Sequence, residues 1–404
     1  MLFLYFQLKK LQLFIVFALF PLFVMARPSP IVISDDFTKL RIGEYMTYYI
    51  EQKGEALTID DILNKQFDTF VYNRKILNFD FIYSSLPKRP KIVWLKMDVQ
   101  TLYPDPSKRF LLEIKSPLLD QVEFYYYENG QWHGQVTGSN FPIRKRMFEH
   151  RTFLFDIQNL HNQRRTYYLK ITTDDLMVVY PILHESNVFV KYAMNEQIVF
   201  GIFFGLLIAL LGFNVINWYF QNGIIYIFFL ALIFIGSLMM IRINGYSYIY
   251  LWVGNIWWEN RAFPLLTGSF SALLTAFNLF FLKIAKEKYI RKILFINLLI
   301  SGLIFSTALV YPNFEVAAAG VGAAIWIVFG TFILAIYDIL RGEAENKFFV
   351  TATYALSMGI ILTFLRFFDI IETTSFLGTY GMEIGFLAFI ILTSISMRIR
   401  NQKK

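Results

Sequence analysis

The chain has 404 residues, of which 56% are hydrophobic, 19% aromatic and only 17% charged, with no cysteine and a formal net charge of +8. This composition excludes an ordinary soluble enzyme and a disulfide-built secreted module. Nor does the positive charge point to nucleic acid: residues 27–197 hold 22 Lys/Arg against 21 Asp/Glu, and the excess, 16 basic against 9 acidic, lies in the leader and the apolar second half.

Lys9 and Lys10 precede the apolar run 11–24, Val24-Met25-Ala26 offers small or branched residues for cleavage, and Pro28 and Pro30 follow. Residues 1–26 therefore read as a signal peptide cleaved after Ala26, against the alternative of an uncleaved anchor helix. The segment 27–195 is then exported, and without disulfides it must hold its fold by its core.

That segment reads as β. Val93, Leu95, Met97 and Val99 alternate with Ile92, Trp94, Lys96 and Asp98, the period of a strand with one buried face. Further strands are expected at 109–115, 121–127, 131–136, 151–157, 166–173 and 176–183. Asn129-Gly130 falls between two of them and marks a hairpin, because both residues tolerate positive φ. Many short strands with polar turns predict a β-sandwich. Thr58, as an N-cap before Ile59, Ile62 and Leu63, predicts a short helix over 57–65.

From 198 to 397 seven apolar stretches follow, expected at 198–220, 223–241, 263–282, 293–311, 316–338, 348–368 and 375–397. A bilayer core about 30 Å thick needs ~20 apolar residues per helix, so each can span. The fold class is an extracytoplasmic β-sandwich followed by an all-α bundle of seven transmembrane helices, with a tail at 398–404. With the amino end outside, the inner segments 221–222, 283–292, 339–347 and 398–404 carry eleven Lys/Arg, and the outer loops carry two, Arg242 and Arg261. Positive charge collects inside, so the carboxyl end is expected in the cytoplasm of a bacterial inner-membrane protein. Asp369 and Glu372 fall in an outer loop. The outer loop 242–262 is aromatic through Tyr246, Tyr248, Tyr250, Trp252, Trp257 and Trp258, which suits a belt at headgroup level, a platform for the β-sandwich, or both.

Catalytic signatures do not emerge. His133, His150, His161 and His184 all lie before the membrane half, none in a His-Glu-x-x-His pattern, and no phosphate-cradling Gly-x4-Gly-Lys-Ser/Thr loop occurs. No metal site and no cofactor are read. Within the spans, Arg366 and Glu383 are costly charges on helices expected to be antiparallel neighbours, so they are candidates to pair with each other; otherwise Arg366 snorkels and Glu383 sits against Asn278 or Tyr380. Asn214, Asn217 and Asn278 are expected to make interhelical hydrogen bonds. In the β region Trp94 either stacks on a sugar or is covered by a loop, with Trp132 a second aromatic candidate. Arg144, Arg146 and Arg151, with Lys145, form a basic cluster suited to an anionic ligand or a solvated edge.

At this point the residues carry a resemblance. The segments 92–96, 110–117 and 119–125, then Gly130-Gln131-Trp132 with Gly138, the stretch 141–155 and the run 167–171 resemble the second extracellular domain type of the bacterial seven-transmembrane receptors with diverse intracellular signalling modules. The membrane half resembles that family's seven-helix domain through 201–214, Asn244-Gly245-Tyr246, Tyr250-Leu251-Trp252, Arg341-Gly342, Gly381-Met382-Glu383-Ile384 and Met397-Arg398-Ile399-Arg400. The resemblance implies a jelly-roll sensor domain for carbohydrate or a similar small ligand, set on a receptor bundle. Members of that family commonly continue into a kinase, cyclase or phosphatase module, whereas this sequence stops at Lys404. A separate cytoplasmic signalling protein seated on 283–292 and 398–404 is therefore the expected output. The linker 187–197 and the aromatic loop are expected to carry the signal, and a homodimer is left open. The competing reading is a transporter or auxiliary subunit with Arg366 and Glu383 in an ion path.

Overall fold

The computed structural model describes residues 28–69, 76–79, 90–102, 105, 107–158, 163–174, 176–343, 346–368, 370–371 and 376–402. The expected signal peptide, His161, Asp369, Glu372 and the end of the tail lie outside them.

Two sheets face each other. One joins β4 (Asp68–Thr69), β3 (Thr47–Ile50), β6 (Ile92–Thr101), β11 (Arg164–Thr172), β8 (Gln121–Glu128) and β9 (Gln131–Thr137), in that order, with β1 (Ile31–Ile33) added parallel to the far half of β6. The other has the order β10 (Phe153–Ile157), β7 (Phe110–Ile114), β13 (Pro181–Glu185), β2 (Lys39–Arg41). A short ribbon pairs β5 (Leu77–Asn78) with β12 (Val178–Val179). Period-two alternation explains the layer: Val93, Leu95, Met97 and Val99 of β6 are buried together with Phe110, Leu112, Phe153 and Phe155 of the opposite sheet. Phe124 of β8 stacks on Phe155 of β10 with ring centroids 4.8 Å apart, which fastens the two sheets directly. Asn129 and Gly130 both adopt positive φ and close the β8–β9 hairpin, and Thr58 caps the one-turn helix Ile59–Ile62 in a reciprocal box with Asp61.

Seven long apolar helices follow: α1 (Ser186–Gln221), α2 (Ile224–Ile243), α3 (Ile256–Phe281), α4 (Lys288–Val310), α5 (Phe314–Leu340), α6 (Lys347–Phe367) and α7 (Phe376–Gln402). The first departs from expectation. Residues 187–197, read as a linker, are helical, and α1 starts at Ser186 directly after β13 ends at Glu185. At 1.5 Å per residue its 36 residues make a rod of roughly 54 Å, well beyond the ~30 Å of a bilayer core. The surplus first turns lie on the second sheet, where Phe189 and Ala193 of α1 pack with Leu111 of β7 and Leu154 of β10. The outward face of that sheet is thus buried too, which is why every residue of β7 is buried.

Inside the bundle, helices approach through small residues. A Cβ at Gly385 would lie 2.6 Å from the Ala355 carbonyl oxygen, and one at Gly359 would lie 2.9 Å from that of Gly381, so α6 and α7 meet backbone to backbone. Thr267, Ser271, Thr275 and Asn278 line one face of α3, and Asn297 of α4 donates to Ser271 and Thr275 across it.

Candidate functional site

The sheet region meets the bundle through charge. Glu196, on the part of α1 that leaves the sheet, is 3% exposed and receives two cations from the sheet region: Lys115 Nζ at 3.0 Å from its Oε1, and the Arg151 guanidinium against its Oε2. Tyr192, one turn earlier, donates its hydroxyl to Glu196 Oε1 at 3.2 Å. Burial alone depresses the Arg151 pKa, but Glu196 beside it more than reverses this and holds it above the usual arginine range. A second Arg151 nitrogen donates to the Asn244 carbonyl at 3.0 Å, just beyond α2. The Asn244 side-chain amide donates in turn to Glu383 of α7 at 2.9 Å. Four groups, Arg151, Glu196, Asn244 and Glu383, thus form one continuous polar relay from the sheets into α1, α2 and α7.

The loop after α2 is the seat. Tyr248 is buried and donates its hydroxyl to the Phe141 carbonyl at 2.8 Å, and the Tyr246 ring lies 5.5 Å from the Arg151 guanidinium. Gly245, at φ +77, lets the backbone slide under Pro117: a Cβ there would lie 2.5 Å from the Pro117 Cβ. Tyr250 and Trp257 of the same segment remain 70% and 53% exposed, turned to the surroundings as belt residues are. Platform and belt are therefore different side chains of one loop. Below it, Arg242 and Glu259 form a second buried pair at 3.4 Å, and Trp252 Nε1 donates to Glu259 at 2.6 Å.

A cavity of about 240 Å³ opens beside Glu196, between the second sheet and the near ends of α6 and α7. Lys39 and Arg41 of β2, Lys115 after β7 and Arg366 of α6 line it, with Tyr192 of α1 and Tyr380 of α7. Lys39 stacks over the Tyr192 ring at 4.2 Å, and its pKa is lowered by burial and by Lys115 nearby.

The residues singled out from sequence are placed as follows. Trp94 is fully buried: it donates to Glu51 at 2.8 Å, stacks on Tyr125 and packs with Ile62 of the one-turn helix, so it has no face to offer a sugar. Trp132 is half-buried on the same face, edge-on to Tyr127 and Tyr168. The arginine cluster is divided. Arg144 is exposed, whereas Arg146 is buried, donates to the His150 and Arg151 carbonyls, and has its pKa pushed down to about 10 by burial. Arg146 and Arg151 are spent on the joint, so the three do not make one anion site. Arg366 and Glu383 do not pair either: Arg366 donates to the Thr379 carbonyl at 3.3 Å, while Asn244, not Asn278 or Tyr380, serves Glu383. Asn214 of α1 accepts from Ser394 of α7 at 3.1 Å, and Asn278 of α3 donates to Thr331 of α5 at 2.5 Å, both interhelical. Sequence reasoning missed Lys39, Arg41, Lys115 and Glu196. A lone acid just ahead of an uncharged apolar run, one turn after Tyr192, is the signal that marks Glu196.

Comparison with known families matches both halves. The model described as 7TMR-DISM extracellular 2 matches residues 43–185, and the model described as 7TM diverse intracellular signalling matches residues 196–400. Comparison with curated proteins gives no match. The seam between the two matched stretches falls where β13 passes into α1, at the charged joint itself. A sheet region outside the membrane joined by a buried relay to seven apolar helices is the arrangement of a transmembrane sensory receptor, and this chain belongs to the 7TM diverse intracellular signalling family.

Proposed function

We propose that this receptor senses a small ligand, carbohydrate or anion, on the periplasmic side of a bacterial inner membrane and signals to a separate cytoplasmic protein. In this reading residues 1–26 direct export, 27–195 form the sensor, 198–397 form the membrane unit and the tail from 398 lies in the cytoplasm, in keeping with eleven basic residues on that side. The observation that carries the proposal is the relay from Glu196 through Arg151 and Asn244 to Glu383. A ligand shifts a receptor only by binding two arrangements unequally, and a buried relay has few arrangements that keep every group satisfied. A continuous α1 running from sheet to far side carries the change without a slack linker. At the far end, exposed Lys286, Lys288, Arg291 and Arg398 supply a basic surface for the partner.

The absence of cysteine makes the test direct. Spin labels on Cys introduced at Lys286 and Arg398, in the full chain in nanodiscs, report the separation of the far ends of α4 and α7. Replacing Glu196 with Gln is expected to shift that distance distribution; an unchanged distribution sinks the transmission reading. Ion flux in vesicles that depends on Glu383 would instead favour a transporter.

A further inference from the structure

The relay leaves positive charge over. Lys115 and Arg151 share the single carboxylate of Glu196, and Glu113 is taken up by His184 Nε2 at 3.0 Å. Lys39, Arg41 and Arg366 then face the same cavity as Lys115, and no carboxylate among the described residues lines it. Lys39 is held at 4.2 Å by the Tyr192 ring rather than by an acid, and Arg366 has a buried Nε without an acceptor. Four cations around about 240 Å³ repel one another unless an anion joins them. The space equals roughly eight waters at ~30 Å³ each, enough for one small oxyanion with part of its hydration.

We infer that this cavity is a binding site for a phosphate-type oxyanion, held by Lys39, Arg41, Lys115 and Arg366 between the sensor and the bundle. The inference rests on the receptor reading for its purpose, though the binding itself does not. The anion touches β2 and β7 on one side and α6 on the other, so its binding favours whichever arrangement brings these elements together. Because Lys115 also holds Glu196, an anion that drew Lys115 toward the cavity would loosen the first link of the relay. Two sources share this chemistry. One is free phosphate from the periplasm; the other is the headgroup of an anionic phospholipid, since Arg366, Phe376 and Tyr380 lie at the outer ends of their helices.

The test uses the full chain in nanodiscs and follows the thermal midpoint. In discs of phosphatidylcholine, inorganic phosphate is added at millimolar level against sodium chloride of equal ionic strength. In a second arm, phosphatidylglycerol is mixed into the discs without phosphate. Phosphate is expected to raise the wild-type midpoint, with apparent affinity falling about tenfold in Arg41→Gln and in Lys39→Gln, and retained in Arg41→Lys. Stabilisation by phosphatidylglycerol alone, lost in the same Gln variants, supports the site with a lipid headgroup as its occupant. Lys39→Gln carries the test should Arg41→Gln fail to give the wild-type circular dichroism. A wild-type chain that answers neither probe overturns the inference, as does a shift that persists equally in both Gln variants. Binding that follows the expected pattern without moving the Lys286–Arg398 distance keeps the site and sinks the receptor reading instead.

Discussion

The two ends of the bundle treat charge in opposite ways. At the end joined to the sheets, Arg151, Glu196, Arg242 and Glu259 are each 6% exposed or less and meet in pairs. At the far end, Lys283 with Glu343 and Arg341 with Glu287 pair on the surface. A buried charge stripped of its partner costs about 3–5 kcal/mol, whereas an exposed pair contributes about 0–1 kcal/mol. Buried charge therefore fixes the geometry of the joint, whereas the charge at the far end is screened by water.

The largest effect is expected from breaking the joint. Arg151→Met leaves Glu196 buried with Lys115 alone and should cost about 3–5 kcal/mol, read as a fall in the thermal midpoint of the full chain in nanodiscs. Adding Glu196→Leu should recover much of that loss, because a buried pair often stabilises no more than an apolar pair of similar size. Recovery of stability without recovery of the wild-type far-end distance would mark the pair as a register device. A double mutant no more stable than Arg151→Met would instead show Glu196 to be needed for more than balancing Arg151.

Next in size is the seat. Gly245→Ala places a Cβ at φ +77 and within 2.5 Å of the Pro117 Cβ, with a cost of about 1–3 kcal/mol. Gly254, also at positive φ (+71) but with open space around it, gives the control: Ala there should cost about 1 kcal/mol from backbone conformation alone. Equal losses at the two glycines would mean that the loop does not bear on Pro117.

The sequence revealed these regions unequally, for physical reasons. Seven spans were legible because lipid demands long apolar runs, and β6, β8 and the Asn129-Gly130 hairpin were legible because one face of each strand is buried. Strands β1 to β5 are two to four residues long, too short for a period to show. The start of α1 was hidden because its first turns lie on protein rather than lipid, so Lys191, Tyr192 and Glu196 interrupt the apolar pattern. The site was hidden further still. Lys39, Lys115, Arg366 and Tyr380 are remote in sequence and come together only once the second sheet is seated on α1. Trp94 left two readings open for a related reason: its face of the sheet is polar in pattern, and only the fold shows the helix Ile59–Ile62 and Tyr125 covering it.

His150 offers a milder way to test the joint. It lies beside Phe189 of α1, and burial, aided by the nearby Arg151 charge, lowers its pKa from 6.5 to about 4. The folded state keeps this ring neutral while the unfolded chain protonates it below pH 6.5. Unfolding therefore takes up a proton in that window, and stability should fall as pH drops from 6.5 toward 4. Asp120 and Asp156, both raised by burial, act in the opposite sense above pH 3.8, so the histidine's share is read from the variant that lacks it. His150→Gln should flatten the midpoint in that interval; an unaltered slope would place the responsible group elsewhere.

The smallest effect is expected at the far end, and its smallness is the point. Exchanging the charges of Lys283 and Glu343 should change the stability by less than about 1 kcal/mol, because Lys283 is more than half exposed and water screens the pair. The neighbouring buried contacts are of another kind. Asp338 accepts from the backbone N–H of Ile284 at 2.9 Å and from the Asn346 side chain at 2.7 Å, so Asp338→Ala should destabilise far more. Reversing the exposed Lys286, Lys288, Arg291 and Arg398 together should leave the fold intact and, on the proposed receptor reading, abolish binding of the cytoplasmic protein. A reversed chain that keeps both its midpoint and its partner would show that the far surface is not where the signal leaves.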